Sequence, residues 1–154
     1  MKISSSIDIG TTAEIAFGWL EKPEKAMAWM TSVSKAEILH ETEERLGTTF
    51  REIVEEDGGR MEMQGSITGY EPGKSISFHL SSRVNALDVK YSIAEIPGGV
   101  RVTENAEVQW RFPVSVYSVF FGERIKQGIL AQLQDEFGKL KQLCEADASR
   151  MKTR

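Results

Sequence analysis

Cysteine is almost missing from this 154-residue chain, and histidine is nearly as scarce. The single Cys144 excludes an internal disulfide and any metal site built from several cysteines. The two histidines, His40 and His79, form no His-x-x-x-His or Glu-x-x-His pair, and no metal site is expected. Proline occurs four times, at positions that punctuate the chain rather than fill it. No apolar run approaches the roughly 18 residues of a membrane span. The first residues, Met1-Lys2-Ile3-Ser4-Ser5-Ser6, are too short and too polar for a signal peptide, so the expected location is cytoplasmic. A basic face is also missing. The net charge is -4, which argues against nucleic acid as a partner. There is no Walker loop, no GxGxxG fingerprint and no nucleophile elbow, so no nucleotide or other cofactor is expected.

What is present is an ordinary globular balance, with 40% apolar and 27% charged residues. The length is that of one domain able to bury a core without staples. Local acidic excesses at Glu41, Glu43, Glu44 and at Glu52, Glu55, Glu56, Asp57 are interrupted by Arg45 and Arg51, and read as solvated surface.

The hydrophobic pattern has two periods. Ile3, Ile7 and Ile9 sit on alternate positions and predict a first strand, ended by Gly10. Thr11-Thr12-Ala13-Glu14 has capping-box spacing ahead of a short helix carrying Ile15, Trp19 and Leu20. Pro23 opens a second short helix with Met27 and Met30. From Val33 to Phe112 the period is two again, broken at Gly47, Asp57-Gly58-Gly59, Pro72-Gly73, Ser82–Asn85 and Pro97-Gly98-Gly99. Six consecutive strands with tight turns make an antiparallel meander, and strict alternation means one face is covered. After Pro113 the period becomes helical: Phe121, Ile125, Ile129, Leu133, Phe137, Leu140 and Cys144 form one stripe. The predicted helix runs from about Ser115 to Glu145, and a one-sided helix of that length must lie on the sheet. The segment 146–154 reads as a polar tail. The fold class is therefore α+β: seven curved antiparallel strands in the order β-α-α-β6-α, wrapped on a long C-terminal helix.

This order, with Ala13-Glu-Ile-Ala-Phe-Gly-Trp-Leu20, Trp29, Arg45-Leu-Gly-Thr-Thr-Phe50 and Ile67-Thr-Gly-Tyr-Glu-Pro-Gly73, resembles the SRPBCC superfamily, the START/Bet v 1-like helix-grip proteins. It is most similar to their small polyketide-cyclase/dehydrase-like members. The resemblance spans residues 1–145 and implies a cavity between sheet and helix. It also implies a wide range of functions: lipid or hormone binding, polyketide cyclisation and co-chaperone work. Fold alone does not choose among these.

Parity along the strands then nominates a pocket lining for an apolar small molecule or lipid. Met61, Met63, Phe78, Leu80, Tyr91, Val102, Glu104, Val108 and Trp110 are expected on the sheet side, and Phe120, Phe121, Arg124 and Gly128 on the helix side. Gly65, Gly69 and Gly128 remove side chains from core-facing rows; the strand glycines serve equally to bend a sheet. Glu104 shares its parity with Val102, Ala106 and Val108. A carboxylate there must be paired, carry a raised pKa or turn outward at a bulge. Glu104 and Tyr91 are accordingly the candidates for ligand anchoring or proton transfer, and an ion pair from Glu104 to Arg124 is the structural alternative. Three functions follow: a binding module for an apolar ligand, a cyclase- or dehydrase-like enzyme, and a protein-interaction module.

Overall fold

The computed structural model describes residues 1–56 and 58–152. Its order is β1 (Lys2–Ile9), α1 (Ala13–Leu20), α2 (Pro23–Ala26), β2 (Val33–His40), β3 (Thr49–Glu56), β4 (Gly59–Glu71), β5 (Ser75–Ser81), β6 (Asn85–Ile96), β7 (Gly99–Trp110) and α3 (Val114–Lys152). The seven strands form one antiparallel sheet in the order β1-β7-β6-β5-β4-β3-β2. The meander thus places the first strand beside the last, and leaves β2 at the opposite edge. Asp57 of the predicted β3–β4 turn lies outside the described residues; Gly58 has a positive φ of 78°.

Alternation sets the covered face. In β7, Val100, Val102 and Val108 are buried while Arg101, Asn105 and Glu107 are exposed. In β4 the inward run Met63, Gly65, Ile67 stops at an irregularity between Ile67 and Gly69. One extra residue there switches parity, and Tyr70 packs against the core in place of Gly69. The Tyr70 hydroxyl donates to Glu21 at 2.9 Å, and its ring meets Phe17 of α1 at 5.6 Å. Gly69 is therefore part of a bend, and not a gap in the lining. Gly65 is not a gap either. A Cβ at that position would stand 2.4 Å from Cζ of Phe50, so the Phe50 ring occupies the space the side chain would need.

α1 is capped by Thr12, whose hydroxyl accepts from the Ile15 amide at 3.2 Å; the cap is one residue later than the Thr11–Glu14 spacing predicts. Pro23 stands in the first turn of α2.

The long helix is anchored unevenly. Leu133, Glu136, Phe137, Leu140, Cys144 and Ala148 are its buried residues. Ahead of them, Phe121 leaves helical geometry (φ -121°, ψ 16°) and puts a kink in α3. The helix also continues through most of the segment predicted as a tail. It runs to Lys152, because Ala148 is buried and Asp147 accepts a 2.9 Å hydrogen bond from Trp19 Nε1.

Candidate functional site

The inward rows of the sheet do not fill the space beneath α3. A cavity of about 300 Å³ remains. Its walls draw on all seven strands and all three helices, and four aromatic rings form a continuous floor. Trp29 meets Tyr91 edge-on at 6.1 Å, Tyr91 meets Phe78 at 6.3 Å, and Phe78 meets Phe50 at 5.7 Å. Trp29 is held by its indole N–H, which donates to the Trp19 carbonyl at 3.3 Å. Phe50 is seated over the bare backbone of Gly65.

The structure brings most of the sequence-nominated residues to this cavity. Met61, Met63, Phe78, Leu80, Tyr91, Glu104, Val108 and Trp110 all line it. Five do not. Val102 points inward but belongs to the filled part of the core with Ile9, Val100, Phe137 and Leu140. Phe120 and Phe121 are 76% and 51% exposed, because they precede the stretch of α3 that meets the sheet. Arg124 is exposed and makes no ion pair with Glu104 among the described residues. Gly128 is exposed, and a Cβ added there would meet nothing within 4 Å, so it thins no wall. The helix side of the cavity lies further along α3, at Ile129, Gln132, Leu133 and Glu136.

Polar groups concentrate on three carboxylates and one phenol. Tyr91 and Glu104 face each other across β6 and β7. Burial raises the Glu104 pKa to about 7; the Tyr91 hydrogen bond opposes that rise and the nearby Glu136 carboxylate adds to it. Tyr91 is pushed well above its ordinary value, first by burial and then by the charges of Glu104, Glu136 and Glu52. Glu136 accepts from the Thr31 amide at 2.7 Å and the Thr31 hydroxyl at 3.3 Å. Glu52 corrects the expectation of a solvated surface. It is only 8% exposed and lines the cavity, and desolvation alone lifts its pKa to about 7. Its own strand held the clue: Phe50, Glu52 and Val54 share one parity, and all three line the cavity. Glu136 falls three residues after Leu133 and next to Phe137, on the buried stripe. Neither acid stood out in the sequence, since helical and strand charges usually face water.

No group of three or more His, Cys, Asp or Glu is placed to hold a metal ion among the described residues. His79 Nδ1 lies 2.8 Å from Asp88 Oδ1, in an exposed pair on the outer face. Cys144 is fully buried, and burial pushes its thiol up to about 12. It is core, not a nucleophile. Among the described residues no helix is long and apolar enough to cross a membrane.

The family of polyketide cyclases / dehydrases and lipid transport proteins matches residues 1–145. The chain belongs to this family. Solved structures carry the same fold as this polyketide cyclase/dehydrase and lipid transport family member. TTHA0849 from Thermus thermophilus superposes with a TM-score of 0.81 at 10% identity, over 96% of this chain and 99% of the other. A START superfamily protein from Mycobacterium smegmatis gives 0.73 at 16% identity, covering 97% and 98%. The di-domain ARO/CYC StfQ from the steffimycin biosynthetic pathway gives 0.79 at 11% identity, over 96% of this chain and 51% of that protein. At such identities these matches speak to the fold alone. No curated protein matches the sequence.

Proposed function

We propose that this domain binds an apolar small molecule in the cavity between the sheet and α3. One observation carries the reading: a cavity of about 300 Å³ is walled by apolar and aromatic side chains, with its acidic groups gathered at Glu52, Glu104 and Glu136. That volume stands at the lower end of the range for small-molecule sites. It suits a compact aromatic or alicyclic ligand better than a two-chain lipid. Burying about 200 Å² of ligand apolar area there contributes roughly 5 kcal/mol. The family description, which joins cyclase, dehydrase and lipid transport, supports a ligand-holding role. Native mass spectrometry of the purified protein, with a thermal-shift screen of compact hydrophobic metabolites, tests this. A retained mass or a raised Tm supports it. No retained mass and no shift across the screen overturns it.

The Tyr91–Glu104 pair favours a second reading, proton transfer on the bound molecule. A carboxyl with a pKa of about 7 exchanges a proton readily near neutral pH. Its partner phenol stays protonated, and is a donor toward a carbonyl or enolate oxygen. Glu104→Gln then abolishes turnover while binding changes little; equal loss of both returns the protein to a simple binder.

A further inference from the structure

We infer that the cavity selects apolar ligands that carry a protonated amine. The inference rests on the binding role proposed above and names its ligand class. Its basis is the imbalance of charge around a single apolar space. Glu52 from β3, Glu104 from β7 and Glu136 from α3 all line the cavity. Among the described residues the one cationic member of the lining is Lys22, which is exposed at the rim beside α2. Tyr91 is the remaining titratable lining group, and it feels all three carboxylates.

The three acids are not equally served. Glu104 has the Tyr91 phenol opposite it across β6 and β7, and Glu136 has the amide and hydroxyl of Thr31. Glu52 is 8% exposed, and its side chain makes no hydrogen bond or ion pair among the described residues. A buried carboxylate without a donor is costly. An ammonium supplies three N–H donors and the opposite charge together. An anionic ligand meets repulsion from all sides, and a neutral one leaves Glu52 without an ionic partner. The acids are also spread over different walls, and no three of them are placed for a metal ion among the described residues. That spread suits an organic cation, which contacts one acid and feels the others through a medium of low dielectric.

The experiment compares three probes on one skeleton at pH 8: naphthylethylamine, naphthylethanol and naphthylacetate, by isothermal titration calorimetry. The expected result is that the amine binds at least tenfold more tightly than the alcohol, with the carboxylate weakest. Glu52→Gln is expected to weaken the amine at least tenfold and to move the alcohol less than twofold. Glu104→Gln repeats the comparison should the first variant fail to fold. Alcohol or carboxylate binding as tight as amine binding overturns the inference and leaves the apolar-binder reading standing. A variant that weakens amine and alcohol alike also overturns it, since the acid is then only part of the cavity's shape. If none of the three probes binds while the hydrophobic screen finds a ligand, the amine preference falls alone. If the screen is also blank, both readings fall together.

Discussion

Replacing Glu52 by Gln is expected to stabilise the protein, and by an amount set by pH. Burial lifts the Glu52 pKa from an ordinary 4.5 to about 7, with no partner to offset it. The folded chain therefore holds this proton more tightly than the unfolded chain. Between pH 4.5 and pH 7 the folded state binds more protons than the unfolded state, so stability falls as pH rises through that window. Below 4.5 the carboxyl is neutral in both states and its contribution is fully present; above 7 it is lost. The gap between the two pKa values corresponds to about 3 kcal/mol. Gln has nearly the same shape and no charge to desolvate. The advantage of Glu52→Gln over the native protein should then be small at about pH 4 and grow to about 3 kcal/mol by about pH 8. For a chain of this length that is a Tm difference on the order of 6–12 °C. Urea unfolding of both proteins at pH 4, 6 and 8 measures it. A stability difference that is flat across this range refutes the reasoning, because it means Glu52 ionises as freely in the folded chain as in the unfolded one. A difference that shrinks with rising pH refutes it more sharply, because it requires an unseen cation at the site.

Gly65→Ala should cost about 1–3 kcal/mol by overpacking, since its Cβ would fall 2.4 Å from the Phe50 ring; urea denaturation reads the loss. The same substitution at Gly128, where nothing lies nearby and the residue is helical, should be neutral or stabilising by up to about 1 kcal/mol in the same assay. Cys144 should resist a thiol reagent such as DTNB at pH 8 in the folded protein and react fully in guanidinium, because it is buried and its pKa is pushed up to about 12. Asp147→Ala should cost about 1–2 kcal/mol by removing the acceptor for Trp19 Nε1, which shows by thermal unfolding that the end of α3 is integral to the fold.

The fold was legible because its rules are local. A strand with one covered face must alternate, and every strand-to-strand turn but the polar Ser82–Val84 turn carried its own glycine or proline. All seven strands and the three helices follow from that pattern. The site was legible only where alternation ran unbroken. Met61, Met63, Phe78, Leu80, Tyr91, Glu104, Val108 and Trp110 reached the cavity by parity alone. At the bulge after Ile67 the only signal is Gly69, which reads equally as a bend or as a gap in the lining, so the inward turn of Tyr70 was hidden. Glu52 was masked by its acidic neighbours, although its parity matched Phe50. Phe120, Phe121, Arg124 and Gly128 were misplaced for a different reason. Helical periodicity tells which face is apolar, but not where along the axis the sheet begins.

The uneven anchoring gives α3 a mechanical character. The helix is a cantilever, packed from Ile129 to Ala148 and largely exposed over the Val116–Phe121 arm, with a bend at Phe121. The first packed turns of the helix, from Ile129 to Glu136, are also cavity wall. From Phe121 to Ile129 the lever is roughly 12 Å long, at the ordinary rise of about 1.5 Å per helical residue. A displacement of the free arm would therefore bear first on Ile129, about two turns ahead of Glu136, one of the three acids that would meet the ligand.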